Sequence, residues 1–116
     1  MPKSLPDLLI GEGRLLLLSA PSPRSPAFEE QMDVLDEVDE ERAAKNVRLA
    51  VMLEEGTSRL EDQTLSEDDR TAIQEHFELK SRFEILLIDR EGRILRRDDA
   101  PLKPNAIFSS FETASA

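Results

Sequence analysis

The 116-residue chain contains no cysteine. That absence excludes disulfides, thiol nucleophiles and thiolate metal sites, because the thiolate is both the attacking species and the ligand. A single histidine, His76, stands alone, so the usual zinc sets of several His and Cys side chains cannot be assembled. Tryptophan and tyrosine are missing too, and the aromatics amount to five phenylalanines. A core made from this chain rests on Leu, Ile, Val, Met and Ala, and the aromatic platforms of single-strand binders are weakly represented. Positive charge is in short supply, with 15 Lys and Arg against 25 Asp and Glu, a net charge of −10. A phosphate backbone and an anionic membrane both call for a cationic surface, so neither is an expected partner. No apolar run reaches the roughly 20 residues that span a bilayer. Glu12 and Arg14 interrupt Leu8-Leu9-Ile10 before a signal-like apolar core can form.

What is present fits one α/β domain, since the length gives room for a single core and the hydrophobic share, 39%, is that of a globular protein. Residues 1–13, with Pro2, Pro6, Gly11 and Gly13, read as a lead-in that is flexible or docks Leu5, Leu8, Leu9 and Ile10 as a short helical turn. The domain proper is expected over residues 14–116. Leu15-Leu16-Leu17-Leu18-Ser19-Ala20 is continuously apolar rather than alternating, the pattern of a strand covered on both faces. Pro21-Ser22-Pro23-Arg24-Ser25-Pro26 must be loop, with Ser25 as N-cap and Pro26 at the first helical position.

A first helix is expected from about Pro26 to about Ala44, with Phe28, Met32, Leu35 and Val38 inward and a strongly acidic outer face that runs out in Arg42 and Lys45. Val47 to Leu53 is a second strand, most simply parallel to the first. Glu54 to Leu65, polar and carrying Gly56, reads as a long loop. Ser66 then caps a helix whose inward stripe is Ala72, Ile73, His76 and Phe77. Phe83 to Arg96 is a strand, a tight charged turn around Gly92 and a returning strand, which is a hairpin signal. A last helix places Ile107, Phe108 and Phe111 inward, and its final residues are expected to fray. The order is β-α-β-α-β-β-α, a mixed four-stranded sheet between helices, with the first and last helices on one face and the middle helix on the other.

That order, with Leu15 to Ala20 feeding a proline-containing loop and helix and Leu86-Leu87-Ile88-Asp89-Arg90-Glu91-Gly92-Arg93-Ile94 as the closing hairpin, resembles the thioredoxin fold over roughly residues 14–112. More narrowly, Arg14 to Pro21, Gln31 and the Leu87-Ile88-Asp89 hairpin are similar to a domain-of-unknown-function family. That family occurs in bacterial proteins and in animal sushi-repeat and extracellular-matrix proteins. The resemblance implies an extracytoplasmic setting and a module with no established activity to carry over. Where the thioredoxin family's dithiol would open the first helix, this chain has Ser22-Pro23-Arg24-Ser25, and where a cis-proline would precede the third strand it has Ser81-Arg82-Phe83. Without a thiolate there is no thiol–disulfide exchange.

The candidate binding residues are Ser22, Arg24 and Ser25, at a helix start whose unpaired N–H groups suit an anion, together with Arg82. No catalytic residue, metal site or cofactor is expected. A protein partner or a small anionic ligand is, with the oligomeric state open. The competing function is an enzyme of non-thiol chemistry using the Ser22 to Ser25 loop. His76 lacks the fixed companions of a triad and reads as structural. Asp89 and Glu91 read as turn residues rather than paired carboxylates for glycoside chemistry. Residues 80–103 hold seven basic and five acidic side chains, suiting head-to-tail pairing with the acidic helix or, in preference, charge compensation within the monomer.

Overall fold

The structure is a computed structural model that describes residues 13–80 and 82–114. Its elements are β1 (Arg14–Ala20), α1 (Pro26–Glu37), α2 (Asp39–Ala44), β2 (Val47–Leu53), β3 (Arg59–Leu60), β4 (Gln63–Thr64), α3 (Glu67–His76), β5 (Glu84–Ile88), β6 (Ile94–Asp98) and α4 (Pro104–Ala114). The expected lead-in lies almost wholly outside the described residues. All six strands form one sheet, in the order β4-β3-β2-β1-β5-β6. β1 is its centre, parallel to β2 and antiparallel to β5.

The apolar runs explain that position. Leu16, Leu18 and Ala20 face one side of β1, against Phe28 and Leu35 of α1 and Ile107, Phe108 and Phe111 of α4. Leu15 and Leu17 face the other, against Ile73 of α3 and Phe77 just beyond its end. A strand covered on both faces needs no polar alternation, hence the continuous run. Each fully buried Leu contributes on the order of 2 kcal/mol, and Leu16, Leu17 and Leu18 are all wholly buried. The α1 and α4 layer and the opposing α3 layer are those expected from the sequence.

The sheet has six strands rather than four. Glu54 to Leu65, read as loop, contains the short antiparallel β3–β4 hairpin against β2. Two-residue strands are too short to show a period of two. The hairpin is fixed by local bonds instead: the Leu53 amide donates to Ser58 Oγ at 3.0 Å, and Glu61 turns the chain with a positive φ of 52°.

The first helix is two helices. It breaks at Val38 (φ −120°, ψ 24°), whose amide returns to Leu35 O. The break swings Arg42 inward, where its guanidinium donates to Val47 O at 2.7 Å, Asp39 at 2.6 Å and Glu61 at 3.0 Å. Arg42 was expected on the solvated face and is buried. Within α1 the fully buried position between Phe28 and Leu35 is Gln31, while Met32 and Val38 are half-buried. The Gln31 amide donates to Leu102 O at 2.9 Å and accepts from Leu102 N at 2.7 Å, tying α1 to the segment that leads into α4.

Gly13 enters β1 at φ 120°, and a Cβ there would meet Asn46 Nδ2 at 2.5 Å and Asn46 O at 2.7 Å. That close passage is closed by the Arg14 amide donating to Asn46 O at 3.1 Å. Only glycine fits both the backbone angle and the gap.

Candidate functional site

The carboxyl ends of the two parallel strands β1 and β2 open onto three segments: Pro21–Ser25, Glu54–Gly56 and the approach to β5. Open α/β sheets present ligand sites at such ends, where helices leave for opposite faces. The first two segments are interlocked. The Glu54 amide donates to Ala20 O at 3.3 Å and the Glu55 amide to Pro21 O at 2.9 Å. Gly56 lies so close to the first turn that a Cβ would stand 3.4 Å from Pro23 Cδ.

Ser22, Arg24 and Ser25 share one tight turn. The Arg24 amide donates to Ser22 Oγ at 3.2 Å and the Ser25 amide to Ser22 O at 3.2 Å. Ser25 occupies the N-cap position, yet its hydroxyl accepts no bond from the first turn of α1, and its backbone is extended at φ −59°, ψ 126°. Sequence reasoning assigned that hydroxyl the capping role. The structure uses the Ser22 hydroxyl to close the preceding turn instead, so the amides of the first turn of α1 take no side-chain cap. In α3, by contrast, Ser66 Oγ does accept from Asp69 N, at 3.1 Å.

Arg82 stands apart from this turn. It is exposed on the approach to β5, and no hydrogen bond or ion pair links it to Ser22, Arg24 or Ser25 among the described residues. Its charge acts instead on Glu84, the centre of a network that sequence reasoning missed. Glu84 is only 2% exposed although it opens β5. Its carboxylate accepts from Arg97 Nε at 2.7 Å and from the Lys80 amide at 3.1 Å. Burial pushes the Glu84 carboxyl up, but the Arg97 bond, the Lys80 amide and the charges of Arg97 and Arg82 outweigh it and hold the group below its ordinary value.

Arg97 also donates to Phe77 O at 2.8 Å and Glu78 O at 3.0 Å. It thereby caps the carboxyl end of α3, where Glu78 takes the left-handed φ of 52° usually left to glycine. The readable signal was one acid inside the apolar run Phe83 to Ile88, with an arginine on the returning strand.

His76 was placed on the inward stripe of its helix and is exposed, its ring edge-on to Phe77 with centroids 4.8 Å apart. Helix α3 ends at His76, so the stripe Ala72, Ile73 and Phe77 passes it by. Asp89 is a turn residue: its Oδ1 accepts from the Glu91 and Arg93 amides, each at 2.9 Å. Three of the hairpin's four basic side chains pair locally, Arg93 with Asp89 and Glu91, Arg96 with Asp98, and Arg97 with Glu84. Among the described residues no metal-competent group of His, Asp and Glu occurs, and no helix is long and apolar enough to cross a membrane.

A hollow at this end, lined by Ser19, Leu53, Glu54, Arg70, Gln74 and Lys80 among others, holds about 20 Å³. Arg70 closes its rim by donating to Leu53 O at 3.1 Å. Such a volume admits about one water.

A family model described as a domain of unknown function, DUF4174, matches residues 7–112. The chain belongs to the DUF4174 family. Among solved structures it is similar to the reduced 2-Cys peroxiredoxin of Plasmodium vivax, at 16% identity and a TM-score of 0.64, covering 94% of this chain and 81% of that one. At that identity the likeness shows the thioredoxin-like fold and nothing of the chemistry. None of the curated proteins matches the chain. This DUF4174 domain has no cysteine with which to perform a peroxiredoxin's thiol chemistry.

Proposed function

We propose that this DUF4174 domain is a non-catalytic binding module that receives a protein partner on the Ser22, Arg24, Ser25 turn, with Arg82 at the border of the contact. One observation carries the reading: at the sheet end where this fold presents its ligands, the first-turn amides of α1 have no side-chain cap and Arg24 is exposed beside them. Uncapped N–H groups and a helix dipole favour an anionic group, so the partner offers an acidic side chain or a terminal carboxylate there. The neighbouring hollow, at about 20 Å³, is an order of magnitude below the roughly 300–1,000 Å³ of small-molecule sites. That contrast favours a protein surface over an enclosed reaction site.

The extracytoplasmic setting is part of the same proposal, and it rests on the family resemblance drawn from the sequence. Affinity capture from native extract tests the binding reading, with the wild type compared against the triple variant Ser22→Ala, Arg24→Ala, Ser25→Ala. A protein retained by the wild type and lost by the folded variant supports it. Equal retention by both moves the contact off this turn and sinks it.

A further inference from the structure

The opposite end of β1 holds a second feature. A depression of about 360 Å³, open to solvent, is lined by Arg14, Asp89, Arg90, Glu91, Arg93, Leu95 and Phe111. It lies at the start of β1, whereas the Ser22 turn follows its end, so about 20 Å of strand separates the two.

The carboxylates around this depression are already engaged. Asp89 and Glu91 pair with Arg93 at 2.9 Å and 3.2 Å, and Glu112, whose charge reaches Arg14, pairs with Lys45 at 2.8 Å. Among the described residues no ion pair joins Arg14 or Arg90 to a carboxylate. The Arg14 guanidinium lies over the Phe111 ring, 5.8 Å from its centroid. A cation–π contact of that kind holds the guanidinium near the ring without using its N–H donors. In a chain with ten more acids than bases, two arginines on one depression with no ion pair among the described residues point to an anion from outside. Two guanidinium forks match a group with three acceptor oxygens and nearly two charges.

We propose that this depression binds the phosphate group of a small organic phosphate, with Arg14 and Arg90 as its ligands. Arg93 stays committed to closing the Asp89 turn. The net charge of −10 sets the whole molecule against a phosphate-bearing bilayer or nucleic acid, which makes a small ester the fitting source.

The test is an amide and arginine-side-chain NMR titration of the intact chain with glycerol 3-phosphate at fixed ionic strength. Phosphatidic-acid vesicles form the parallel arm. The proposal expects shifts confined to Arg14, residues 89–93 and the facing part of α4. It further expects affinity at least tenfold weaker in Arg14→Gln and in Arg90→Gln. Arg90 is exposed on a turn, so its variant keeps the fold even where loss of the Arg14–Phe111 contact disturbs it. Shifts scattered over the basic surface, equal affinity in Arg90→Gln, or binding to vesicles alone would each overturn it.

Discussion

At the carboxyl end of β1 the buried Glu84 and its neighbours Arg97 and Arg70 bond to backbone, while at its amino end Arg14 and Arg90 make no ion pair among the described residues. Glu84, Arg97 and Arg70 spend their bonds on Lys80 N, Phe77 O, Glu78 O and Leu53 O. Arg14 and Arg90 border a depression whose acids are taken by Arg93. The difference teaches that charge near a functional sheet end is not evidence of chemistry there until its partners are counted. At this end of the sheet the charges of Glu84, Arg97 and Arg70 are scaffold, and the proposed contact falls to the plain turn of Ser22, Arg24 and Ser25.

The sharpest way to break this comparison is to remove a scaffold charge. Arg97→Ala leaves Glu84 buried without a counter-ion and the end of α3 uncapped, and should cost about 3–5 kcal/mol in urea unfolding. If the cost matched that of an exposed ion pair, below about 1 kcal/mol, the Glu84 network would not be a scaffold. Gln31→Leu comes next. It orphans the buried N–H and C=O of Leu102 and should lose about 2–4 kcal/mol. A change within about 0.5 kcal/mol would mean that water reaches Leu102.

A smaller effect separates the charge of Glu84 from its shape. Its folded carboxyl titrates below the unfolded value of about 4.3. The stabilisation is therefore fully present above that unfolded value and is lost as pH falls through the lower folded value. Glu84→Gln should be less stable than wild type at pH 7, with the gap narrowing as the pH drops below about 4. A gap that stayed constant from pH 7 to pH 3 would assign the loss to hydrogen bonding alone. The smallest expected effect is at the turn itself: the Ser22→Ala, Arg24→Ala, Ser25→Ala variant should unfold within about 1 kcal/mol of wild type, since these side chains make only local bonds. A larger loss would make the turn part of the scaffold as well.

The strands that carry the domain were legible because Leu15 to Ala20, Val47 to Leu53 and Phe83 to Ile88 are apolar runs bounded by turn residues. The two-layer cover followed from those runs. β3 and β4 were not legible, because Arg59-Leu60 and Gln63-Thr64 are held by the Ser58 hydroxyl and a left-handed Glu61 rather than by a pattern. The burial of Arg42 depends on the break at Val38 and on Glu61 arriving from a distant hairpin, neither of which a helical stripe reveals.

Gln31 shows a misread that the sequence itself contained. Phe28, Gln31 and Leu35 have the spacing of a buried face, but a polar residue was passed over in favour of Met32. At the candidate site, Ser22, Arg24 and Ser25 were found together because they are neighbours in the chain. Arg82 was joined to them by fold analogy; among the described residues no hydrogen bond or ion pair links it to the turn, and its charge helps to hold the Glu84 carboxyl down.

The most direct measurement is amide hydrogen exchange of the domain alone and bound to a partner recovered by capture. The account predicts slowed exchange at residues 22–28 and 54–56, with the amides of β5 and β6 unchanged. Protection confined to the acidic face of α1 and α2, or to the Arg14 and Arg90 depression, would contradict it.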